Sequence, residues 1–140
     1  MSYLVDANVL SEPTKSRADS RVKEWLRRNE GSVAVDPIIL GEIRYGILVL
    51  DSGAKRSRLE TWFDDVVATI HCLPWDTETA LRWAKLLADL KNRRTSMPVK
   101  DSLIAATALV HGLSIVTRNV VDFEKSGVPV VNPFDDAPGL

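Results

Sequence analysis

Five short apolar runs, each followed by a longer segment of different character, constrain this chain more than any other feature. The runs are Tyr3 to Val5, Val33 to Val35, Ile70 to Leu73, Leu113 to Thr117 and Val128 to Val131. Short apolar runs bounded by polar or turn-forming residues read as buried strands. Between them lie segments of helical period. Leu59, Trp62, Phe63, Val66, Val67 and Ile70 recur at the spacing that predicts a single apolar helix face. Ala80, Trp83, Ala84 and Leu87 repeat that pattern after an N-cap at Asp76. Asp36 followed by Pro37 starts a helix that carries Ile39, Glu42, Ile43 and Ile47, since Asp caps free amides and Pro tolerates the first helical position. Pro98 opens another helix and Gly112 closes it. Parallel strands need crossover connections and helices supply them, so the alternation predicts an α/β fold with a five-stranded parallel sheet covered on both faces.

The 140 residues are expected to form one domain, with the tail from Asp135 to Leu140 fraying. Apolar residues at 45% and charged residues at 26% match a soluble globular protein. The N-terminus MSYLVDANVLSE lacks a basic start with a long apolar run, and no stretch approaches the roughly 18 apolar residues of a membrane span. Cys72 is the only cysteine, which excludes an internal disulfide and a cysteine zinc cluster and points to a cytoplasmic location. A net charge of -1 supplies no global attraction to nucleic acid, so any such contact must be local. The clusters Lys15 with Arg17, Arg21 to Arg28, and Lys55, Arg56 with Arg58 read as solvated helix faces, while Lys91, Arg93 and Arg94 lead toward Lys100.

In open α/β sheets, ligands bind beyond the carboxyl ends of the strands. The residues there are acidic. Asp6 closes the first strand, Glu42 lies about a turn and a half into the helix after the second, and Asp101 begins the helix before the fourth. Thr117, Asn119 and Asp122 follow the fourth strand. Plain structural roles also exist: Asp6 as the cap of a short helix near Asn8, Asp101 as a partner of a helix dipole, and Asp122 as the cap of the turn ending at Gly127. Glu42 sits among apolar neighbours, and a buried carboxylate needs a partner. Two unit charges ~4 Å apart repel by about 4 kcal/mol at an effective dielectric of 20, so grouped carboxylates need a cation. All-oxygen ligands suit Mg2+, with Mn2+ as a substitute; His71 and His111 are isolated and form no zinc cluster. A metal held this way lowers the pKa of a bound water and neutralises charge on a phosphodiester, which is nuclease chemistry. Cys72 has no activating partner, and neither a Gly-rich phosphate loop nor a serine elbow is present.

DANVLSE at Asp6 to Glu12, GEIRYG at Gly41 to Gly46, DSLIAATA at Asp101 to Ala108 and TRNVVDF at Thr117 to Phe123 together resemble the PIN-domain family. More narrowly, with VNPF at Val131 to Phe134, they are similar to VapC-type ribonuclease toxins across essentially the whole chain. The resemblance implies a PIN-like α/β/α sandwich, Mg2+-dependent cleavage of RNA, a homodimer and inhibition by a VapB-type antitoxin that inserts an arginine among the carboxylates. It makes Asp6 and Asp101 the metal ligands, directly or through water, Glu42 the third acid, and Thr117 a hydroxyl support. Many relatives carry Asp where this chain has Asn119, which leaves the fourth position to Asn119 or Asp122. Arg44, Lys100 and Arg118, with Arg93 or Arg94, become candidates for RNA phosphate contacts.

Two other readings compete. A phospho-acceptor or phosphatase also uses acidic strand ends, but the first strand ends in a single acid and no lysine follows Val131. A catalytically weak PIN fold that only binds RNA or protein finds its support in Asn119. The apolar residues around Trp25, Leu26 and Trp62 read as core, with a partner surface as the alternative.

Overall fold

The structure is a computed structural model that describes residues 2–135. Five strands, β1 (Tyr3–Val5), β2 (Val33–Val35), β3 (His71–Cys72), β4 (Ser114–Val116) and β5 (Val130–Val131), form one parallel sheet in the order β3-β2-β1-β4-β5. All five apolar runs therefore contain a strand, although the last three pair over fewer residues than the runs suggest. Among the described residues seven α-helices connect and cover them: α1 (Ala7–Leu10), α2 (Ser20–Arg28), α3 (Pro37–Leu48), α4 (Ala54–Thr69), α5 (Thr77–Asn92), α6 (Val99–His111) and α7 (Val120–Glu124).

Successive strand residues point to opposite faces, so β1, β4 and β5 each feed two cores. Leu4, Ile115 and Val130 face a large cluster with Ile39, Ile43 and Ile47 of α3, Leu86 of α5 and Ile104 of α6. Val5, Val116 and Val131 face a smaller one with Val9, Val22 and Phe134, which Trp25 flanks while packing edge-on against Tyr3 at 4.9 Å. The chain is thus an α/β/α sandwich, as expected.

Asp36 caps α3 by accepting from Ile39 N at 2.9 Å, and Asp76 caps α5 by accepting from Thr79 N at 3.2 Å. Gly112 ends α6 with φ 65°, a left-handed conformation that glycine adopts without Cβ strain. Two sequence expectations need correction. In α5 the buried stripe is Thr79, Leu86 and Leu90, with Trp83 half-buried between them, while Ala84 and Leu87 are exposed. Thr79 starts this stripe because its hydroxyl also bonds Asp76 at 3.0 Å, so a polar residue occupies an apolar position and shifts the apparent phase. In α4 only Phe63 is buried; Val67 is 48% exposed and Ile70 lies beyond the helix. The expected frayed tail falls on Asp135 and on residues 136–140, which lie outside the described residues.

β1 is the centre of the sheet, where the winding changes direction: the chain moves outward to β2 and β3 on one side, then returns to β4 and β5 on the other. This is the kind of switch point at which open α/β sheets form a crevice. Asp6 follows β1 directly.

Candidate active site

Parallel pairing aligns Val5 with Val116, so the next residues, Asp6 and Thr117, emerge side by side at the carboxyl edge. Asp6 is buried and accepts from Thr117 Oγ1 at 2.7 Å and from Ala7 N at 2.8 Å. Asn8 Nδ2 spans the pair, donating to Asp6 Oδ2 and to Thr117 Oγ1 at 3.3 Å each. Asn8 Oδ1 then accepts the Arg118 amide at 3.1 Å. Asp6 therefore both caps α1 and belongs to a cross-strand network; its two readings are compatible.

Asp101 lies in the first turn of α6 and is 5% exposed. Asn119 Nδ2 donates to its Oδ2 at 3.1 Å, whereas Oδ1 has no hydrogen-bond partner among the described residues. Glu42 extends from α3, where Lys100 Nζ meets its Oε2 at 2.7 Å; its Oε1 is buried with no hydrogen-bond partner. Asp122 stands on α7, 4.0 Å from Lys125.

These acids act on one another. Burial, then the charges of Asp6 and Asp122, push the Asp101 carboxyl up to about 6, with Glu42 adding to the rise and Lys100 opposing it. Burial also raises Asp6 above the ordinary carboxylate range, while the Thr117 and Ala7 hydrogen bonds oppose the rise. The Glu42 carboxylate holds the Lys100 ammonium above its usual range, chiefly through their hydrogen bond. The four acids from distant parts of the sequence thus share one electrostatic field at the edge of the sheet.

The oxygen donors fit a hard cation. Among the described residues no three His, Cys, Asp or Glu side chains form a closed metal cage. A Mg2+ ion does not require one, because it usually keeps several waters and takes only one or two carboxylates. The unpartnered oxygens of Asp101 and Glu42, beside Asp6, are the groups such an ion would satisfy.

The basic candidates divide. Lys100 is in the site through Glu42, and Arg118 borders it, its guanidinium 3.8 Å from the centre of the Phe134 ring. Arg44 points to α4, 3.8 Å from Glu60 and above the Phe63 ring. Arg93 donates to the Lys125 carbonyl at 2.8 Å. Arg94 is exposed with φ 57° at the end of α5. His71, His111 and Cys72 are exposed and outside the acid network. Trp83 donates to Ser102 Oγ at 2.9 Å and Trp62 is half-buried against the large core, in keeping with packing roles.

Two further residues, Asn8 and Asp36, support the site without a sequence signal for that role. Asn8 bridges Asp6 to Thr117, and nothing in its sequence spacing points to that. Asp36, foreseen only as a helix cap, is completely buried and also accepts from Thr107 Oγ1 at 2.7 Å. It thereby ties α3, which bears Glu42, to α6, which bears Asp101. Lys100 with Glu42 makes a second tie farther along, so the two helices run antiparallel where they cross.

Comparison with known proteins agrees with this fold. The sequence profile described as the PIN domain matches residues 3–126. The chain is 28% identical over 138 residues to the VapC ribonuclease Y4jK of Sinorhizobium fredii, covering 96% of this chain and 99% of that protein. It is 31% identical over 137 residues to the toxin FitB of Neisseria gonorrhoeae, covering 95% and 99%. A solved structure of FitAB bound to a DNA fragment superposes with a TM-score of 0.90 at 28% identity, covering 99% of each chain. Among the described residues, no helix is long and apolar enough to cross a membrane.

Proposed function

The chain belongs to the PIN domain family, and from that premise we propose that it is a metal-dependent endoribonuclease, the toxin of a toxin-antitoxin pair. It acts in the cytoplasm as a homodimer restrained by a small VapB-type antitoxin. The observation that carries the nuclease reading is the buried, unpartnered Glu42 Oε1, with Asp101 Oδ1 also free of any protein donor among the described residues, beside the buried Asp6. Similarity to ribonucleases and toxins over nearly the full length supports the reaction class and the antitoxin.

Asp6 and Asp101 would hold Mg2+, or Mn2+ in its place, directly or through water, with Glu42 as the third acid. When bound, such an ion would offset the charge of the acids and polarise the phosphodiester. Thr117 fixes the Asp6 carboxylate by its 2.7 Å hydrogen bond, and Asn119 fixes one oxygen of Asp101 so that the other faces the site. The amide of Asn119 cannot carry charge, so Asp122 is the fourth acid. Lys100 orients Glu42 and places an ammonium where an RNA phosphate approaches. Arg118, held over Phe134, offers its guanidinium donors to a neighbouring phosphate. Arg44 and Arg93 are already engaged with protein groups, which leaves them lesser roles.

Purified protein is to be tested on mixed cellular RNA with Mg2+, Mn2+ or EDTA, beside Asp6→Asn and Asp101→Asn. Wild type cleaves only with metal, and each variant loses at least ~100-fold, the upper end of the cost of removing a mere supporting group. Retained metal-dependent cleavage by Asp101→Asn overturns the site.

A further inference from the structure

A cleft of about 900 Å³ opens beside the acid edge, between the segment from Ala7 to Arg17 on one side and α3 with α4 on the other. Its near end is formed by Asn8 and Glu42, both part of the acid site described above. Its floor is apolar, with Ile47, Leu59 and Trp62 among its residues. Lys15, Arg17, Lys55 and Arg58 line it, against Glu42 as the one acidic lining residue. That excess of cations is local, because the whole chain carries a net charge of -1. Lys15 is engaged by Glu12 at 3.0 Å. The side chains of Arg17, Lys55 and Arg58 are exposed and have no ion-pair or hydrogen-bond partner among the described residues.

Cations without acidic partners, grouped along a cleft, are unfavourable for the empty protein and favourable for an anionic chain. An apolar floor with a tryptophan suits bases, since nucleotide strands pack on such surfaces while their phosphates track the basic groups. The acids at the near end would repel a polyanion except where a cation offsets them, so the two ends divide the labour between holding and cutting. We propose that this cleft is the path of a single RNA strand, whose phosphates meet Arg17, Lys55 and Arg58 on one side of the scissile bond. The inference rests on the nuclease reading and adds to it the course of the substrate.

Binding of a mixed-sequence single-stranded RNA oligomer is measured in the Asp101→Asn protein, with and without Arg17→Ala, Lys55→Ala and Arg58→Ala together. Each phosphate contact on a single strand contributes about 0.7 to the slope of log K against log salt, so the triple variant lowers that slope by about 2 and weakens binding at least ~10-fold at low salt. Arg17→Lys with Arg58→Lys keeps the slope, because charge rather than shape makes the contact. Unchanged affinity and slope in a folded triple variant overturn the path, and wild-type cleavage then shows whether the nuclease reading stands without it. An acidic helical peptide is titrated beside the RNA, and weaker peptide binding by the triple variant with RNA binding untouched also overturns the path and makes the cleft a protein groove. Absence of RNA binding with the cleft intact overturns it as well, while cleavage by the wild type judges the nuclease reading separately.

Discussion

Asp36 and Asp101 are two buried carboxylates at the same region of the fold, and they have opposite surroundings. Asp36 is fully buried, with one oxygen capping α3 through Ile39 N and the other accepting from Thr107. Asp101 is nearly as buried, yet a single amide of Asn119 holds one oxygen and the other is left without a protein donor. Burial raises the pKa of both. Burial and a perturbed pKa therefore do not separate a structural acid from a reactive one. What separates them is hydrogen-bonding capacity left unused by the protein, and the like charges gathered around it.

The sharpest way to break this distinction is to neutralise each acid in turn. Asp36→Ala removes a helix cap and leaves the Thr107 hydroxyl without its partner, so denaturant unfolding should show a loss of about 2 to 3 kcal/mol. An effect below about 0.5 kcal/mol means that α3 and α6 do not depend on Asp36.

Asp101 should behave in the opposite sense. Its folded pKa of about 6 lies above the ordinary value of 3.8, so between these values the folded protein holds a proton that the unfolded chain has lost. Metal-free stability therefore falls as pH rises through this window, by roughly 2 kcal/mol from this group, and Asp6 pulls in the same direction. Acids with lowered pKa values, such as Asp19 and Asp76, have their windows at more acidic pH. Urea titrations from pH 4.5 to 7 should show the decline, and Asp101→Asn should lessen it, leaving the share of Asp6 and Asp36. A wild-type profile that is level, or rises, refutes the buried-acid account.

Lys100→Met tests the smallest effect. The ion pair with Glu42 is half exposed at the lysine end, and such pairs contribute less than about 1 kcal/mol. Thermal unfolding should barely move. A fall larger than 2 kcal/mol would make the pair a structural tie like that of Asp36 with Thr107.

Much of the fold was legible because local chemistry and global arrangement agree. The five apolar runs, the Asp36-Pro37 start and the Gly112 stop each carry a local signal that the structure retains. The phase of α5 was not legible, because Thr79 is buried by a hydrogen bond to Asp76 and a hydrophobic count passes over it. The acids at the strand ends could be listed from the alternation alone, since a parallel sheet brings its carboxyl ends to one edge. Their hydrogen-bond partners could not. Asn8 and Thr117 meet across 109 residues, and Thr107 meets Asp36 across 71, through register that no local motif encodes. The basic residues were the least legible. Arg17, Lys55 and Arg58 look like solvated faces in sequence, and only the packing of α3 and α4 beside Ala7 to Arg17 gathers them along one cleft.

The parallel register of β1 with β4 also determines where this chain tolerates changes of length. A residue inserted within Ser114–Val116 would turn Thr117 to the opposite face and break its bond to Asp6. The exposed turn from Asp51 to Gly53, between α3 and α4, has no strand to shift. Homologous chains of different length should therefore differ there, with the mouth of the cleft varying in size while the spacing of the acids is preserved.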